Sequence, residues 1–373
     1  MSTENTLILY IFIFVITTLY PLFFRTHNET KRKGLLVPFI IHWFFCCFTN
    51  IGVDYQNYYR IIEYIGTYRA FEGVEIGFTW FCLILKAFSL NPDQIIFLLK
   101  TLTIILFYRG FYKLRKITII PLVLLSYNVL IYLQGFYLLS MQLAIALLFL
   151  SVVHLLFGSR NKSVLYMLMS CLTHTSSILL LPIYIILIYM QRKKLLISVR
   201  QICILISVMT IISVCFTIIY DYAISSISIF HYYEAYELSN TTIGSGLGQV
   251  VFFLPIFYFI LQIYKSNLSS SIRNGAVIFS IVGFTYALLG YKVDVLMRIN
   301  NSFFCLYAIF IPLLLFKRVT HNISIKQRIL PIRVDQFVWI LYLCFRGYIV
   351  VSGYMSKDSL SEISEFHFFN PLM

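Results

Sequence analysis

Charged residues are scarce in this chain of 373 residues, at 12% against about 25% in a typical soluble domain. No polar stretch is long enough to fold as a soluble domain, and the longest runs from about Asp221 to Gly246. Apolar residues make up 60%, in runs that approach the roughly 20 residues needed to cross a hydrocarbon core. A soluble globular protein is excluded, and we predict one polytopic membrane domain over residues 1–373.

Motifs for metal and redox chemistry are also lacking. The eight cysteines lie in or beside apolar runs, and none forms a C-x-x-C pair near histidines. No Asp-x-Asp pair is present to hold a divalent cation, and Gly244–Gly248 has neither the preceding strand nor the Lys of a phosphate loop. We therefore expect no metal, no cofactor and no disulfide framework.

The formal net charge of +14 reflects membrane topology rather than nucleic-acid binding. Most Lys and Arg lie in short gaps between apolar runs, which is the pattern of cytoplasmic loops. We therefore expect no nucleic-acid partner. The gaps cover residues 25–33, 109–116, 160–162, 192–200, 265–273 and 317–333.

Placing the basic gaps inside puts the N-terminus outside, together with loops at about residues 50–75 and 221–246. Of the 15 acidic residues, only Glu29 and Asp335 then fall inside. The first apolar run, Thr6–Phe24, lacks the basic n-region and small-residue cleavage pattern of a signal peptide, so we expect a membrane span.

The alternation of apolar runs predicts an all-α, polytopic integral membrane helical bundle with about 10–12 transmembrane helices. Two segments do not fit a simple alternation of crossings. Ile76–Leu90 is interpreted as a re-entrant or interfacial element on the outer side. Val164–Met190 is interpreted as a helical hairpin with Thr173–Ser176 at its tip, because irregular backbone is tolerated where it lines a protein cavity. Two ordinary additional crossings are the alternative.

The outer side collects the residues that could carry chemistry, and ionisable groups near a bilayer are costly unless used. Asp54 begins a polar segment, with Tyr55 and Tyr58 following at one and four positions. Glu75 is either a functional carboxylate or a favourable charge at a helix N-terminus. His174 is either functional or a satisfied core residue. Three cations could hold phosphate or could simply reach the interface: Arg60, Lys292 and Arg298.

The order of these features resembles the Wzy-type polysaccharide polymerases of the EpsG-like family over roughly residues 35–320. One departure is Met141, where family members often carry Arg. A phosphate contact made by that Arg would fall here to Arg298 or Lys292. The motifs that carry the resemblance are Gly52-x-Asp54-Tyr55-x-x-Tyr58, Glu75-x-Gly77-Phe78, the small-residue segment Met141–Ala146, His174-x-Ser176-Ser177, and Met297-Arg298 with Asn301-Ser302-Phe303.

This resemblance implies a multi-pass protein of the bacterial inner membrane with its active face in the periplasm. Its substrate would be an undecaprenyl-pyrophosphate-linked oligosaccharide of O-antigen or a related surface glycan. The growing chain would be transferred to a new lipid-linked unit. Membrane lipid and a chain-length regulator protein are the expected partners.

In this scheme Asp54 is the first choice to activate the acceptor hydroxyl, with Glu75 and His174 as competitors. Lys292 and Arg298 would hold the pyrophosphate, and Tyr55 and Tyr58 would stack on sugars.

Two other functions compete with polymerisation. A flippase or transporter of lipid-linked oligosaccharide would be expected to show internal repeats and broken helices at the midplane, and the sequence has no repeat. A membrane O-acyltransferase would use His174 as its base and would need an acyl-donor site facing the cytoplasm, where the predicted loops are mostly basic.

Overall fold

The fold is described from a computed structural model. The regular elements in the described part of the chain are all helices. The described residues are 3–25, 30–50, 53–67, 75–136, 138–209, 211, 215, 247–264, 269–289, 294–321, 334–355 and 371.

The described ranges contain fourteen α-helices, numbered here in chain order, and short 3₁₀ segments extend several of them. They are α1 Thr3–Leu19, α2 Leu36–Cys47, α3 Val53–Tyr64, α4 Ile76–Ala87, α5 Pro92–Leu114, α6 Ile120–Leu130, α7 Leu139–Leu156, α8 Arg160–Thr173, α9 Leu181–Arg192, α10 Val199–Met209, α11 Leu247–Tyr264, α12 Ser270–Leu289, α13 Asp294–His321 and α14 Val334–Met355.

Five segments in the described part of the chain are long and apolar enough to cross a membrane. The predicted all-α polytopic membrane bundle is therefore confirmed. By contrast, α4 has 12 residues and a length of about 18 Å, short of the roughly 30 Å core. That length fits a re-entrant or interfacial element. The five segments are Thr6–Phe24, Pro92–Leu114, Leu139–Leu156, Thr175–Arg192 and Val334–Val351.

The chain forms two compact units, Met1–Leu181 with Leu315–Met373, and Pro182–Leu314. In the second unit α11 packs against α12. Within the same unit, Asn274 of α12 accepts the N–H of Ile197 at 3.0 Å and donates to the carbonyl of Leu195 at 2.8 Å. These bonds fix the backbone that leads into α10.

The centre of the first unit is α7, whose side chains are almost all buried. It packs against α5 on one side and α8 on the other. The Ser151 hydroxyl donates to the Ser163 carbonyl at 2.8 Å, and the Ser163 hydroxyl returns a bond to the Ser151 carbonyl at 2.6 Å. Small residues and hydroxyl bonds of this kind are a common means of joining helices in membranes.

A close approach of α5 to α7 depends on Gly110. A Cβ at this position would lie 2.3 Å from an atom of the buried Phe149 ring. Elsewhere in the unit, the Trp339 indole of α14 donates to the Ser126 hydroxyl of α6 at 3.1 Å. The helices around α7 are therefore held in a defined register.

Candidate active site

Helix α3 occupies the polar segment that the sequence places after the second apolar run. Its Tyr55 is only 4% exposed, and its hydroxyl donates to Asp93 Oδ1 in the first turn of α5 at 2.5 Å. Burial, reinforced by the Asp93 carboxylate, raises the pKa of Tyr55 above its ordinary value, so the phenol remains a donor. Tyr55 thereby fixes α3 on α5. Its predicted role in sugar stacking stays a prediction.

The C-terminal end of α3 is held by Lys86 of α4. The ammonium donates to three backbone carbonyls, of Ile62 at 3.2 Å, Glu63 at 3.0 Å and Ile65 at 2.8 Å. A cation at a helix C-terminus satisfies carbonyls that have no partner within the helix and complements the helix dipole. Helices α3 and α4 are therefore tied together at this end.

Glu75 Oε1 and His174 Nδ1 lie in direct contact. Glu75 precedes α4 with an extended backbone, and its side chain makes no capping bond to that helix. His174 stands where α8 ends, with φ −150° and ψ 124°, before the 3₁₀ segment Thr175–Leu180. The side chains are 15% and 22% exposed, so the pair is largely shielded but still accessible.

The pair can form because α4 lies directly against the end of α8. A Cβ at Gly77 would lie 2.6 Å from the carbonyl oxygen of Leu172 and 2.7 Å from its carbonyl carbon. Only a residue without a side chain fits at that distance from another backbone. Gly77 therefore explains the Glu75-x-Gly77-Phe78 spacing, because the close contact beside Gly77 brings Glu75 to His174.

Ser140, in the first turn of α7, connects this pair to α3. The Ser140 hydroxyl lies 3.1 Å from the Tyr58 hydroxyl and 3.4 Å from His174 Nδ1, and the Ser140 N–H donates to the Tyr58 oxygen at 3.3 Å. Burial raises the pKa of Tyr58 to about 12, with Glu75 and Asp54 adding to the effect. The Tyr58 phenol therefore remains protonated at neutral pH.

The other predicted site residues have separate positions. Asp54 is half-buried in the first turn of α3 and acts electrostatically on Tyr58. Arg60 is exposed on the same helix. Lys292 lies outside the described residues, and Arg298 belongs to α13 of the second unit, with its side chain outside what the structure describes. The roles of these residues stay predictions.

Sequence reasoning missed Ser140 and Asp93. Ser140 directly precedes the Met141–Ala146 segment, and a serine at the start of a buried helix is a recognisable signal for a polar contact. Asp93 follows Pro92 at the start of α5, where an acidic residue is normally explained by the helix dipole alone. Neither signal identifies the tyrosine that each residue binds.

The helices of the first unit place acidic and basic groups at opposite ends. Helix α5 starts with Asp93 in its first turn and ends with Lys113 in its last turn, about 30 Å apart at 1.5 Å per residue. Helix α8 starts with Arg160 and Lys162 and ends beside His174. The Glu75–His174 pair therefore lies at the end of the bundle opposite Lys113, Arg160 and Lys162.

No group of three His, Cys, Asp or Glu side chains within the described ranges could hold a metal ion. What the site offers is a carboxylate on one imidazole nitrogen, two hydroxyls beside it and a further carboxylate near Tyr58. This is a set of groups suited to moving a proton.

These features define a polytopic membrane protein whose polar residues gather at one end of a helical bundle. The model of the EpsG family matches residues 32–359, and the chain belongs to this family. Membership indicates a polysaccharide polymerase-type function and confirms the EpsG-like resemblance. No curated protein and no solved structure matches the chain significantly.

Replacing Tyr58 with Phe removes the hydroxyl that accepts the Ser140 N–H and contacts the Ser140 hydroxyl. We expect polymerisation to fall about fivefold to tenfold, since a hydrogen bond of this kind contributes about 1 kcal/mol net. The rate of glycan extension in isolated membranes measures the effect. Tyr59→Phe, one residue further on, is the matched control and is expected to keep the wild-type rate. Equal rates for the two variants would contradict a role for the Tyr58–Ser140 contact.

Proposed function

We propose that this protein is a Wzy-type polymerase of lipid-linked oligosaccharide repeat units, of O-antigen or a related surface polysaccharide. The growing undecaprenyl-pyrophosphate-linked glycan would be transferred to a new lipid-linked unit at the periplasmic face of the bacterial inner membrane. One observation carries the proposal: the Glu75–His174 pair, which contacts Ser140 at the acidic end of the bundle.

In this proposal His174 is the general base. Glu75 accepts the Nδ1–H of His174, which leaves the lone pair on Nε2, on the opposite side of the ring. Nε2 then takes the proton of the acceptor sugar hydroxyl, and Glu75 stabilises the imidazolium that forms. A carboxylate that orients a histidine in this way is a recurring catalytic arrangement.

The transfer step exchanges one C–O bond for another. The activated acceptor oxygen bonds to the anomeric carbon of the growing glycan, and the bond from that carbon to the pyrophosphate breaks. The lipid pyrophosphate leaves with the electron pair. Asp54, whose charge acts on Tyr58, would stabilise positive charge that develops on the sugar ring. Lys292 and Arg298 remain the sequence-based choices for balancing the charge of the leaving group.

The polarity of the first unit supports the proposed orientation. Basic helix ends favour the cytoplasmic side, and they lie opposite the Glu75–His174 pair along α5 and α8. A lipid-linked substrate is also consistent with a site beside long apolar helices, because its polyprenyl chain can remain in the bilayer. A chain-length regulator protein is the proposed protein partner.

The proposal is tested by surface-glycan profiles of a deletion strain complemented with Glu75→Gln. We expect a single repeat unit on the lipid acceptor, because Gln cannot stabilise the imidazolium of His174. Loss of a flippase would leave no repeat unit, and loss of an acyltransferase would leave full ladders. Asp54→Asn, run in parallel, compares the two candidate carboxylates.

Glu63→Gln is the matched control, since Glu63 is an exposed glutamate of α3. It is expected to give full ladders. Ladders of normal length from Glu75→Gln, expressed at the wild-type level, would rule out the proposed role of the pair.

A further inference from the structure

The basic end of α5 carries a cluster of cations around one tyrosine. Tyr112, in the last turn of α5, is 42% exposed. The Arg115 guanidinium lies 4.4 Å from the centroid of its ring, and the Arg32 guanidinium lies 5.8 Å from the same centroid. Lys116 adds a third charge that acts electrostatically on Tyr112. Two guanidinium groups therefore face one exposed ring.

Backbone contacts around Thr30 hold the two arginines at this end of α5. Thr30 donates its N–H to the Arg115 carbonyl at 3.4 Å, and the Arg115 guanidinium donates to the Thr30 carbonyl at 3.4 Å. The 3₁₀ segment that starts with Arg32 follows two residues later. Arg32 is thereby brought beside Arg115, although the two are far apart in the sequence.

The chain around this cluster carries a large excess of positive charge. Residues 25–33 and 109–116 together contain eight Lys and Arg and one carboxylate, Glu29. One carboxylate cannot neutralise eight cations, and like charges held close together repel one another. An anion shared by Arg32 and Arg115 would offset this repulsion. Phosphate is suited to such a position, because a guanidinium group binds phosphate oxygens through paired N–H bonds.

Exposed apolar side chains lie beside the same cluster. Phe23 is 84% exposed in the 3₁₀ segment Tyr20–Phe24, and Leu36 is 57% exposed at the start of α2. The Lys31 N–H donates to the Phe24 carbonyl at 2.8 Å, which holds the two segments together. Cations next to exposed apolar side chains fit an amphiphile, with a phosphate on the arginines and hydrocarbon on Phe23 and Leu36.

We propose that the Arg32–Tyr112–Arg115 cluster binds the phosphate headgroup of an anionic phospholipid. Basic residues at helix ends are typical of the cytoplasmic side, where the membrane surface carries anionic lipids. The two guanidinium groups donate N–H bonds to the phosphate oxygens, and the acyl chains extend along Phe23 and Leu36. This lipid site is separate from the proposed reaction, because it takes a resident membrane lipid and uses no residue of the Glu75–His174 pair.

A purely topological role of the basic residues predicts a different result. In that case anionic lipid responds only to total charge, so removing any two cations from this end of the bundle has the same effect. In our proposal the effect depends on position. Arg160 and Lys162 supply the matched control, because both are exposed cations at the start of α8.

The test measures the binding of dioleoylphosphatidylglycerol to the purified full chain in detergent by native mass spectrometry. We expect Arg32→Gln combined with Arg115→Gln to raise the Kd of the tightest-bound lipid at least about tenfold, because charge-assisted bonds are lost. Arg160→Gln combined with Lys162→Gln removes the same charge and should stay within about twofold of wild type. An unchanged Kd in the first double variant, or an equal rise in both, would overturn the proposal.

Arg115 also supports the backbone through Thr30, so Arg32→Gln is measured alone as well. The Arg32 side chain is exposed, and its replacement should leave the Tm in lipid-free detergent unchanged. The Kd for dioleoylphosphatidylglycerol should still rise, by at least about threefold. Arg32→Lys keeps the charge without the paired N–H groups and should give an intermediate Kd. A wild-type Kd in a stably folded Arg32→Gln variant would contradict the assignment of the headgroup to this cluster.

Other probes identify the source of the phosphate group. Dioleoylphosphatidylcholine, whose headgroup has no net charge, should bind equally to the wild type and to the Arg32→Gln, Arg115→Gln double variant. Inorganic phosphate should bind more weakly than dioleoylphosphatidylglycerol, because it makes no contact with Phe23 or Leu36. Equal affinity for inorganic phosphate and dioleoylphosphatidylglycerol would overturn the lipid assignment. An equal loss of both lipids in the double variant would overturn the assignment of an anionic headgroup.

Discussion

Replacing His174 with Ala is expected to reduce polymerisation by about 10²–10⁴-fold, the usual contribution of a positioned general base. The variant keeps Ser140 and Tyr58 but has no group to accept the proton of the acceptor hydroxyl. The measurement is the initial rate of chain extension from lipid-linked units in proteoliposomes. Binding of the lipid-linked donor should be nearly unchanged, so the loss should appear in kcat.

Two further variants accompany this experiment: a neighbouring substitution that should have no effect, and a double variant that tests whether Glu75 and His174 act together. Thr175→Ala changes the exposed neighbour of His174 and is expected to retain the wild-type rate. Glu75→Gln combined with His174→Ala should be no slower than His174→Ala alone, because residues that act as a unit are not additive. A double variant much slower than either single variant would show that Glu75 acts independently of His174.

The second large effect is expected from Gly77→Ala. The added Cβ would meet the Leu172 carbonyl at 2.6 Å, and a backbone carbonyl cannot move away by changing a rotamer. Helix α4 must therefore shift from α8, which separates Glu75 from His174. A shift of about 1 Å at a catalytic group can cost about 10²-fold in rate. Polymerisation rate and thermal unfolding, measured together, check the prediction.

A helical glycine with more space is the matched control for this substitution. At Gly347 of α14 an added Cβ would lie 3.4 Å from Val129 Cγ2, which is ordinary contact. Gly347→Ala should therefore retain both rate and stability, and removing a helical glycine favours the helix slightly. Wild-type activity in Gly77→Ala would contradict the close contact of α4 with α8.

Hydropathy was sufficient to predict an all-α membrane bundle, whereas the polar helix α3 lies in a segment that was predicted as an outer loop. The expected span Thr6–Phe24 is one of the segments that are long and apolar enough to cross a membrane. Hydropathy predicts membrane helices well because a segment that spans the bilayer must be continuous and apolar. Helix α8 ends beside His174, within the predicted tip Thr173–Ser176, but Thr175–Arg192 is long and apolar enough to cross a membrane, which fits the alternative of ordinary crossings.

The partners within the site were much less predictable. Glu75 and His174 were both selected, but as competitors for one role, whereas the structure pairs them. Their contact depends on the close approach of α4 to α8 at Gly77. Helical periodicity in the sequence carries no information on which helices contact each other. Ser140 presents a similar difficulty, because the partner of a polar residue in an apolar helix is visible only once the helices are packed.

The shortness of α4 has a consequence for the order of membrane insertion. Glu75 is synthesised 99 positions before His174, so its carboxylate has no imidazole partner until α8 has left the ribosome. An unpaired carboxylate is costly inside the bilayer. Because the 12-residue helix α4 does not need to cross the membrane, it can remain at the membrane surface with Glu75 in water. It can then dock sideways through Gly77 once α8 is in place, so the polar pair enters the protein only when it is complete.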